Sequence, residues 1–161
     1  MKHIHFLILS VILVTFTSCG WQSIPTAKNE VEAQFAKVQN QYKRRADLIP
    51  NLVKVVKGYA EHEKETLQAV VEARAKATSI NVDPSKLDAQ SVKKFADAQG
   101  QLSSALSRLM VVVEKYPNLK ANQNFRDLQS QLEGTENRIT VARDRYIEAI
   151  KVFNNLVTVP P

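Results

Sequence analysis

The sequence is poor in the residue types on which most catalytic and metal sites depend. Its 161 residues include one cysteine, three histidines and four glycines. A single thiol excludes an internal disulfide, and no glycine-rich phosphate loop is present. The pair His62-Glu63 resembles the start of a zinc-protease motif, but residue 66 is threonine, so the second histidine of that motif is absent. We therefore expect a protein that is not an enzyme and that binds no metal or other cofactor.

The positive charge of the chain is not concentrated in any one segment. Lysine and arginine together number 22 against 16 acidic residues, which gives a formal net charge of +6. Proteins that bind nucleic acids gather basic residues into a stripe with interleaved aromatic residues. Here the basic residues are scattered among acidic ones, so we expect no nucleic-acid partner.

An apolar run near the N-terminus is too short to cross a membrane. Residues 6–16 are apolar apart from Ser10 and Thr15, and Lys2 precedes them. A spanning helix needs about 20 apolar residues, so the pattern predicts a cleaved signal peptide at residues 1–18. An ordinary signal peptide followed by an incidental cysteine is one alternative, and a signal anchor is another.

The single cysteine stands where cleavage of this signal is expected. Phe16, two small residues and then Cys19 resemble the bacterial lipobox, in which the cysteine is acylated. The pattern predicts a lipidated Cys19 and a tether over residues 19–26, in a protein of the bacterial cell envelope. Gly20 carries no obvious retention signal, which favours the outer membrane in an organism that has one. Trp21 is expected at the lipid interface or in a disordered tether.

The remainder of the sequence predicts one all-α domain, an antiparallel four-helix bundle over residues 27–157, with a short tail at 158–161. Apolar residues recur at spacings of three and four in four successive segments, which is typical of amphipathic and coiled-coil helices. These segments cover approximately residues 26–46, 52–78, 92–116 and 121–153. The aromatic residues on their apolar faces are expected in the core: Phe35, Tyr42, Phe95, Phe125, Tyr146 and Phe153.

Two of the three junctions carry clear helix boundaries. Asp83 followed by Pro84 predicts an N-cap and the first position of the third helix. Pro117 ends that helix, and either Asn118 or Asn122 can cap the fourth.

The first junction is predicted less directly. Pro50 lacks an amide proton and disfavours helical geometry at Ile49, which predicts a break at residues 46–50. The apolar face nevertheless continues in phase across Pro50, which also suits one kinked helix. We favour the break, because a continuous helix of about fifty residues would reach roughly 75 Å and extend past its neighbours.

Several blocks of the sequence resemble the signature of the LemA family. They read RRADLIPNLV at 44–53, VKGYA at 56–60, HE at 62–63, YPNLKAN at 116–122 and TENRI at 135–139. The blocks lie in family order and cover nearly all of the chain that follows the signal. The resemblance implies a four-helix bundle anchored by its N-terminus at a bacterial envelope, without an established enzymatic activity. Family members commonly have a transmembrane helix where this chain has its lipobox.

The favoured function is that of a membrane-tethered module that binds another envelope protein. An envelope-remodelling or stress factor that engages lipid or cell wall directly is the alternative, and an uncharacterised enzyme is a third. With lipid at Cys19, the first and third junctions should share the end of the bundle far from the membrane. The polar residues expected there as partner contacts are Arg44, Arg45, Asp47, Asn118, Lys120 and Asn122.

A polar layer is also expected inside the bundle. His62 or Glu63 of the second helix should pair with a polar residue of the fourth, because a buried carboxylate without a partner is costly. The candidates on the fourth helix are Thr135, Glu136, Asn137 and Arg138. The alternative is a helix rotation that turns His62, Glu136 and Arg138 outward.

Overall fold

The computed structural model describes residues 23–158 and confirms the all-α class. In this part of the chain the helices are α1 Ser23–Lys57, α2 Lys64–Ser79, α3 Ala89–Val113, α4 Pro117–Ala121 and α5 Gln123–Thr158, with a 3-10 turn at Pro84–Lys86. The signal peptide, Cys19, the start of the tether and residues 159–161 lie outside the described residues. Because α1 begins at Ser23, residues 23–26 belong to a helix rather than to the expected tether.

Helices α1 and α5 form one long antiparallel pair. In the half of the pair where α1 begins, the ring centroids of Phe35 and Tyr146 are 5.3 Å apart. At the other end, Asn122 Nδ2 donates a 2.9 Å hydrogen bond to the hydroxyl oxygen of Tyr59. Residue numbers rise along α1 as they fall along α5, so the two helices run in opposite directions.

Helices α2 and α3 form a shorter antiparallel pair that packs on the first. Gln99 Nε2 of α3 donates to the Ala77 carbonyl near the end of α2. Tyr116, just after α3, donates to Glu63, just before α2. Since α2 also packs against α1, the chain direction alternates between successive long helices, as in an antiparallel four-helix bundle.

The predicted break at residues 46–50 is wrong. Helix α1 passes through Pro50 without interruption, and the first junction lies at residues 58–63. Ala46, Ile49, Leu52 and Val56 are all buried on one face of α1, whereas Pro50 points to solvent. Burying a large aliphatic side chain contributes about 2 kcal/mol, so two such residues beside Pro50 offset the roughly 3 kcal/mol cost of an internal proline.

A side chain of α2 compensates for the missing amide proton of Pro50. In a regular helix the N–H of residue 50 would bond to the carbonyl of residue 46. Here Arg74 Nε donates to the Ala46 oxygen at 2.8 Å. The Ala46 carbonyl therefore receives its hydrogen bond from a neighbouring helix, and this bond connects α1 to α2 beside Pro50.

The predicted start of the third helix is also wrong. Asp83 accepts hydrogen bonds from the Ser85 N–H and hydroxyl, and it caps only the 3-10 turn. Helix α3 begins at Ala89, where Asp88 is the N-cap and accepts from the Ser91 N–H at 2.9 Å. Asp83 and Asp88 carry the same local capping signal, so the sequence alone does not distinguish them. The long helix follows Asp88, because the residues after it are the ones that pack into the core.

The core consists of two apolar clusters. The larger one includes Ile49, Leu52, Val56, Leu67, Val70, Leu102, Leu109, Val113, Leu119 and Phe125. The smaller one consists of Phe35, Val82 and Phe95, with Tyr42, Ile80, Leu87, Val92 and Tyr146 packed against it. Phe35, Phe95 and Phe125 are buried as predicted, whereas Tyr42, Tyr146 and Phe153 are only partly buried.

Candidate functional site

A buried arginine forms a polar layer within the bundle. Arg45 is 1% exposed. Its Nη1 donates to Ser103 Oγ at 2.7 Å and to Glu136 Oε1 at 2.9 Å. Its Nη2 donates to the backbone oxygen and to Oε1 of Gln99 at 3.0 and 2.8 Å. The layer thus joins α1, α3 and α5 through one guanidinium.

The surroundings of this guanidinium largely compensate for its burial. An arginine stays charged, so it must be paired and hydrogen-bonded where water is absent. Glu136 supplies the negative charge, and the Tyr42 ring lies 4.9 Å from the guanidinium carbon as a cation–π partner. Of the three guanidinium nitrogens of Arg45, Nε alone has no hydrogen-bond partner among the described residues.

Residues 44–47 do not form the partner surface that was expected at the end of the bundle. Arg45 is buried and cannot be a surface contact, whereas Arg44 and Asp47 are exposed. Because α1 continues to Lys57, these residues lie about 15 to 20 Å along the helix from the first junction. They therefore do not share one end of the bundle with Asn118, Lys120 and Asn122.

The first junction, which the structure places at residues 58–63 rather than at residues 44–51, meets the third junction at one end of the bundle. The Tyr116 hydroxyl donates to Glu63 Oε1 at 3.1 Å, and Asn122 bonds to Tyr59. Partial removal from water, together with the neighbouring Glu63 carboxylate, raises the pKa of Tyr116. Asn122 Oδ1 also accepts from the Phe125 N–H at 3.0 Å, so Asn122 is the cap of α5.

Of the other residues expected at this end, Asn118 and Lys120 are exposed. Lys120 Nζ lies 2.7 Å from Glu114 Oε2. Both side chains are consistent with a role at the surface, but the structure brings neither into contact with residues 44–47.

The expected pairing between residues 62–63 and residues 135–138 is wrong. Glu63 lies before α2 at the bundle end and bonds to Tyr116, whereas Glu136 bonds to Arg45. Thr135 is fully buried and donates to the Gln131 carbonyl of its own helix. The remaining candidates, His62, Asn137 and Arg138, are exposed. The error follows from the placement of the first junction, which shifts Glu63 from mid-helix to the bundle end.

A groove on the α1–α5 pair collects basic side chains, and we call it the basic groove. It encloses about 320 Å³. Its lining consists of Gln34, Lys37 and Gln41 from α1 and of Asn137, Arg138, Val141, Ala142 and Arg145 from α5. No acidic residue lines it, so three cationic side chains face one cleft.

The polar groups of the basic groove are incompletely paired. Lys37, Arg138 and Arg145 form no ion pair with any residue of the described chain. Gln34 Nε2 donates to Glu30, but the Gln34 Oε1 atom is buried and has no partner. Gln41 Oε1 is likewise buried without a partner. The groove therefore offers cations and carbonyl acceptors together.

Sequence reasoning missed this groove. Lys37 and Arg145 lie more than a hundred positions apart, and only the pairing of α1 with α5 brings their helices side by side. A signal was nevertheless present, since Gln34, Lys37 and Gln41 recur at spacings of three and four on one face of α1.

A second groove lies on the other side of α1 and encloses about 570 Å³. Its lining includes Lys43, Asp47 and Arg74, so both signs of charge are present, and Arg74 is already engaged by the Ala46 carbonyl. Within residues 23–158, no group of three or more histidine, cysteine, aspartate or glutamate side chains could hold a metal ion. The basic groove is therefore the stronger candidate for binding.

These features define an all-helical bundle protein with a polar layer in its core and a basic cleft between its two longest helices. The chain belongs to the LemA family, whose sequence profile matches residues 34–161. No helix in the described part of the chain has the length and apolar character needed to cross a membrane.

Three relatives illustrate the range of the family match. The chain is 24% identical to Protein LemA of Metamycoplasma hominis, over 94% of this chain and 66% of that protein. It is 25% identical to Magnetosome protein MamQ of Magnetospirillum gryphiswaldense, over 92% of this chain and 61% of the relative. It is 24% identical to Magnetosome protein MamQ 2 of Paramagnetospirillum magneticum, over 94% and 62%. The chain thus spans between 61% and 66% of the length of each of these relatives.

Proposed function

We propose that this LemA-family protein is a membrane-tethered, non-enzymatic interaction module of the bacterial cell envelope. Its basic groove binds an acidic segment of a partner protein. Cys19, acylated as a required step in the processing of the signal peptide, holds the bundle at the membrane. No cofactor takes part.

The unpaired cations of the basic groove carry this proposal. Lys37, Arg138 and Arg145 face one cleft without an acidic neighbour in its lining. Guanidinium groups bind carboxylates through two parallel hydrogen bonds, which gives both strength and orientation. Complementary charge across an interface also accelerates association and selects the partner. An acidic segment fits this arrangement.

The unpartnered amide oxygens favour a peptide over a simple anion. Gln34 Oε1 and Gln41 Oε1 are buried acceptors without donors. A buried acceptor left without a donor costs about 1 to 3 kcal/mol. A polypeptide supplies a series of backbone N–H donors beside its carboxylates, whereas an inorganic anion such as sulfate supplies none. The cations of the groove therefore match the carboxylates of an acidic peptide, and its amide oxygens match the backbone N–H groups.

The test is to reverse the charge of the groove and measure crosslinking in intact cells. The variant Arg138→Glu/Arg145→Glu should lose crosslinks to its protein partner by about tenfold or more, as expected for removal of two charged contacts. The matched control is Arg108→Glu/Lys115→Glu, which makes the same charge change at exposed positions of α3 and its C-terminal turn. Circular dichroism of both variants checks the helical content.

Two outcomes would contradict the proposal. A folded groove variant that retains every crosslink would exclude the groove as the partner site. A variant that keeps its protein crosslinks but loses binding to envelope lipid or cell wall would favour the alternative of an envelope-remodelling factor.

A further inference from the structure

Helices α1 and α5 extend beyond the other helices at one end of the bundle. Phe95, the first buried side chain of α3, contacts Phe35 of α1. On the far side of that contact, Ala27 is the only buried residue of α1 before Gln34, and no described residue of α5 after Ala149 is buried. The first turns of α1 and the last turns of α5 therefore lie outside the buried core. We call residues 23–28 and 151–158 the tip.

The two halves of the tip lie at the same end of the bundle. Phe35 packs against Tyr146 in the antiparallel pair. Ile24 precedes Phe35 by as many residues as Val157 follows Tyr146, so the helix register brings Ile24 and Val157 to one level. The first turn of α1 and the last turns of α5 thus form one surface.

This surface exposes several large apolar side chains and carries no negative charge. Its large apolar side chains are 38% to 48% exposed and consist of Ile24, Val152, Leu156 and Val157. Lys28 and Lys151 are the charged residues of the tip. They pair with Glu32 and Glu148, which lie farther from the end of the bundle, at 3.7 and 3.6 Å. Lysine stems of this kind extend along apolar surfaces while their charges stay in water.

The chain reaches lipid next to this surface under two of the interpretations of the N-terminus, the acylated Cys19 and the signal anchor. If Cys19 is acylated, the acyl chains are attached within about 14 Å of Ser23, the reach of four extended residues. If residues 6–16 instead remain as a signal anchor, that apolar run ends a short distance before α1 in the sequence. Lipid is therefore the apolar phase closest to the tip.

We propose that the tip inserts its apolar side chains into the interface of the bilayer to which the N-terminus is attached. This inference rests on the tether of the proposed function and adds a second contact, made by both ends of the α1–α5 pair. Apolar side chains beside lysines are typical of helices that lie in a membrane interface. The centre of the basic groove, near Lys37, is then held roughly 20 Å along α1 from Ile24.

The test measures contact between the tip and lipid in the full-length chain. Trp21, the only tryptophan, is replaced by phenylalanine, and a new tryptophan is introduced by Leu156→Trp. Protein floated with vesicles of phosphatidylglycerol and acyl-brominated phosphatidylcholine is compared with protein on unbrominated vesicles. Bromine in the acyl chains should lower the fluorescence by about twofold, because the indole lies at the interface. The matched control is Val111→Trp in the same background, an exposed position of α3, which should keep its fluorescence.

Three results would overturn the proposal. The first is quenching at position 156 that is no stronger than at position 111, and the second is failure of the chain to float with the vesicles. The third is a spectral shift at position 156 that depends on protein concentration rather than on lipid, which would identify a second copy of the chain as the occupant. Quenching at position 156 without acylation of Cys19 would uphold the tip contact and reject only the lipid tether. The crosslinking test of the basic groove is independent of all these readouts.

Discussion

Arg74 of α2 donates a 2.8 Å hydrogen bond to the Ala46 carbonyl of α1, the acceptor that Pro50 leaves without its helical donor. The proline and the arginine therefore act together, although they lie on different helices. This arrangement explains how a sequence with an internal proline keeps one continuous helix, and it makes the two positions energetically dependent on each other.

The first prediction concerns this dependence. In the natural chain, Arg74→Leu should lower the free energy of unfolding by about 1 to 2 kcal/mol, because it leaves the Ala46 carbonyl without a donor. In a Pro50→Ala background, the amide of residue 50 can bond to Ala46, so the same change should cost less. Urea unfolding of the four proteins measures the difference. Equal costs in both backgrounds would show that the two positions are independent.

Most of the fold could be predicted from the spacing of apolar residues, whereas the first junction could not. The buried face of α1 was visible in the sequence, including Ile49 and Leu52 on either side of Pro50. The local cost of proline was equally visible. Whether burial of this face outweighs the cost of Pro50 depends on the residues that pack against Ile49 and Leu52 and on the hydrogen bond from Arg74. These contacts come from other helices.

The candidate site was less predictable for the same reason. Arg44 and Arg45 are adjacent in the sequence, yet Arg44 is exposed and Arg45 is buried. The difference depends on helix rotation and on Glu136, which is 91 positions away. The cap of the last helix, by contrast, could be narrowed to Asn118 or Asn122, because the capping signal is local. Contacts between distant segments thus determine both the polar layer and the basic groove.

The second prediction compares two ion pairs with similar carboxylates. Glu136 and Asp97 have side chains that are 47% and 56% exposed, and they lie 2.9 and 2.7 Å from Arg45 and Lys93. The cations differ, since Arg45 is buried and Lys93 is exposed. Glu136→Ala should therefore cost about 2 kcal/mol, because it leaves a buried charge without its counterion. Asp97→Ala should cost less than about 0.5 kcal/mol.

Urea unfolding monitored by circular dichroism measures both costs. If the two substitutions have the same effect, the Arg45–Glu136 pair contributes no more than an ordinary surface pair. The interpretation of this layer as a structural element would then be wrong.

The third prediction concerns the acid stability of the α3 N-terminus. The Ser91 hydroxyl, followed by the Ser91 N–H, lowers the pKa of Asp88 from its ordinary value of 3.8. Because the pKa of Asp88 is lower in the folded state, the unfolded state binds more protons between the folded-state pKa and the ordinary value. The free energy of unfolding therefore rises with pH across this range. The contribution of Asp88 is present above pH 3.8 and is lost as the pH falls through its folded-state pKa.

The variant Asp88→Asn separates capping from titration. Asparagine caps helices about as well as aspartate but does not titrate. We expect similar melting temperatures for the two proteins near neutral pH and a smaller decline for the variant below pH 3.8. If the melting temperatures of the two proteins fall equally as the pH is lowered, other carboxyl groups account for the acid sensitivity.

The last prediction concerns the proposed anchor, which lies outside the described residues. Cys19→Ser should abolish incorporation of labelled fatty acid and leave the signal peptide uncleaved, because the thiol that receives the acyl chains is missing. Stable attachment requires more than one acyl chain, and each buried methylene contributes about 0.8 kcal/mol. The matched control is Ser18→Ala, which keeps a small residue before the cysteine and should be labelled normally. Normal labelling of the Cys19→Ser protein would reject Cys19 as the residue that carries the lipid.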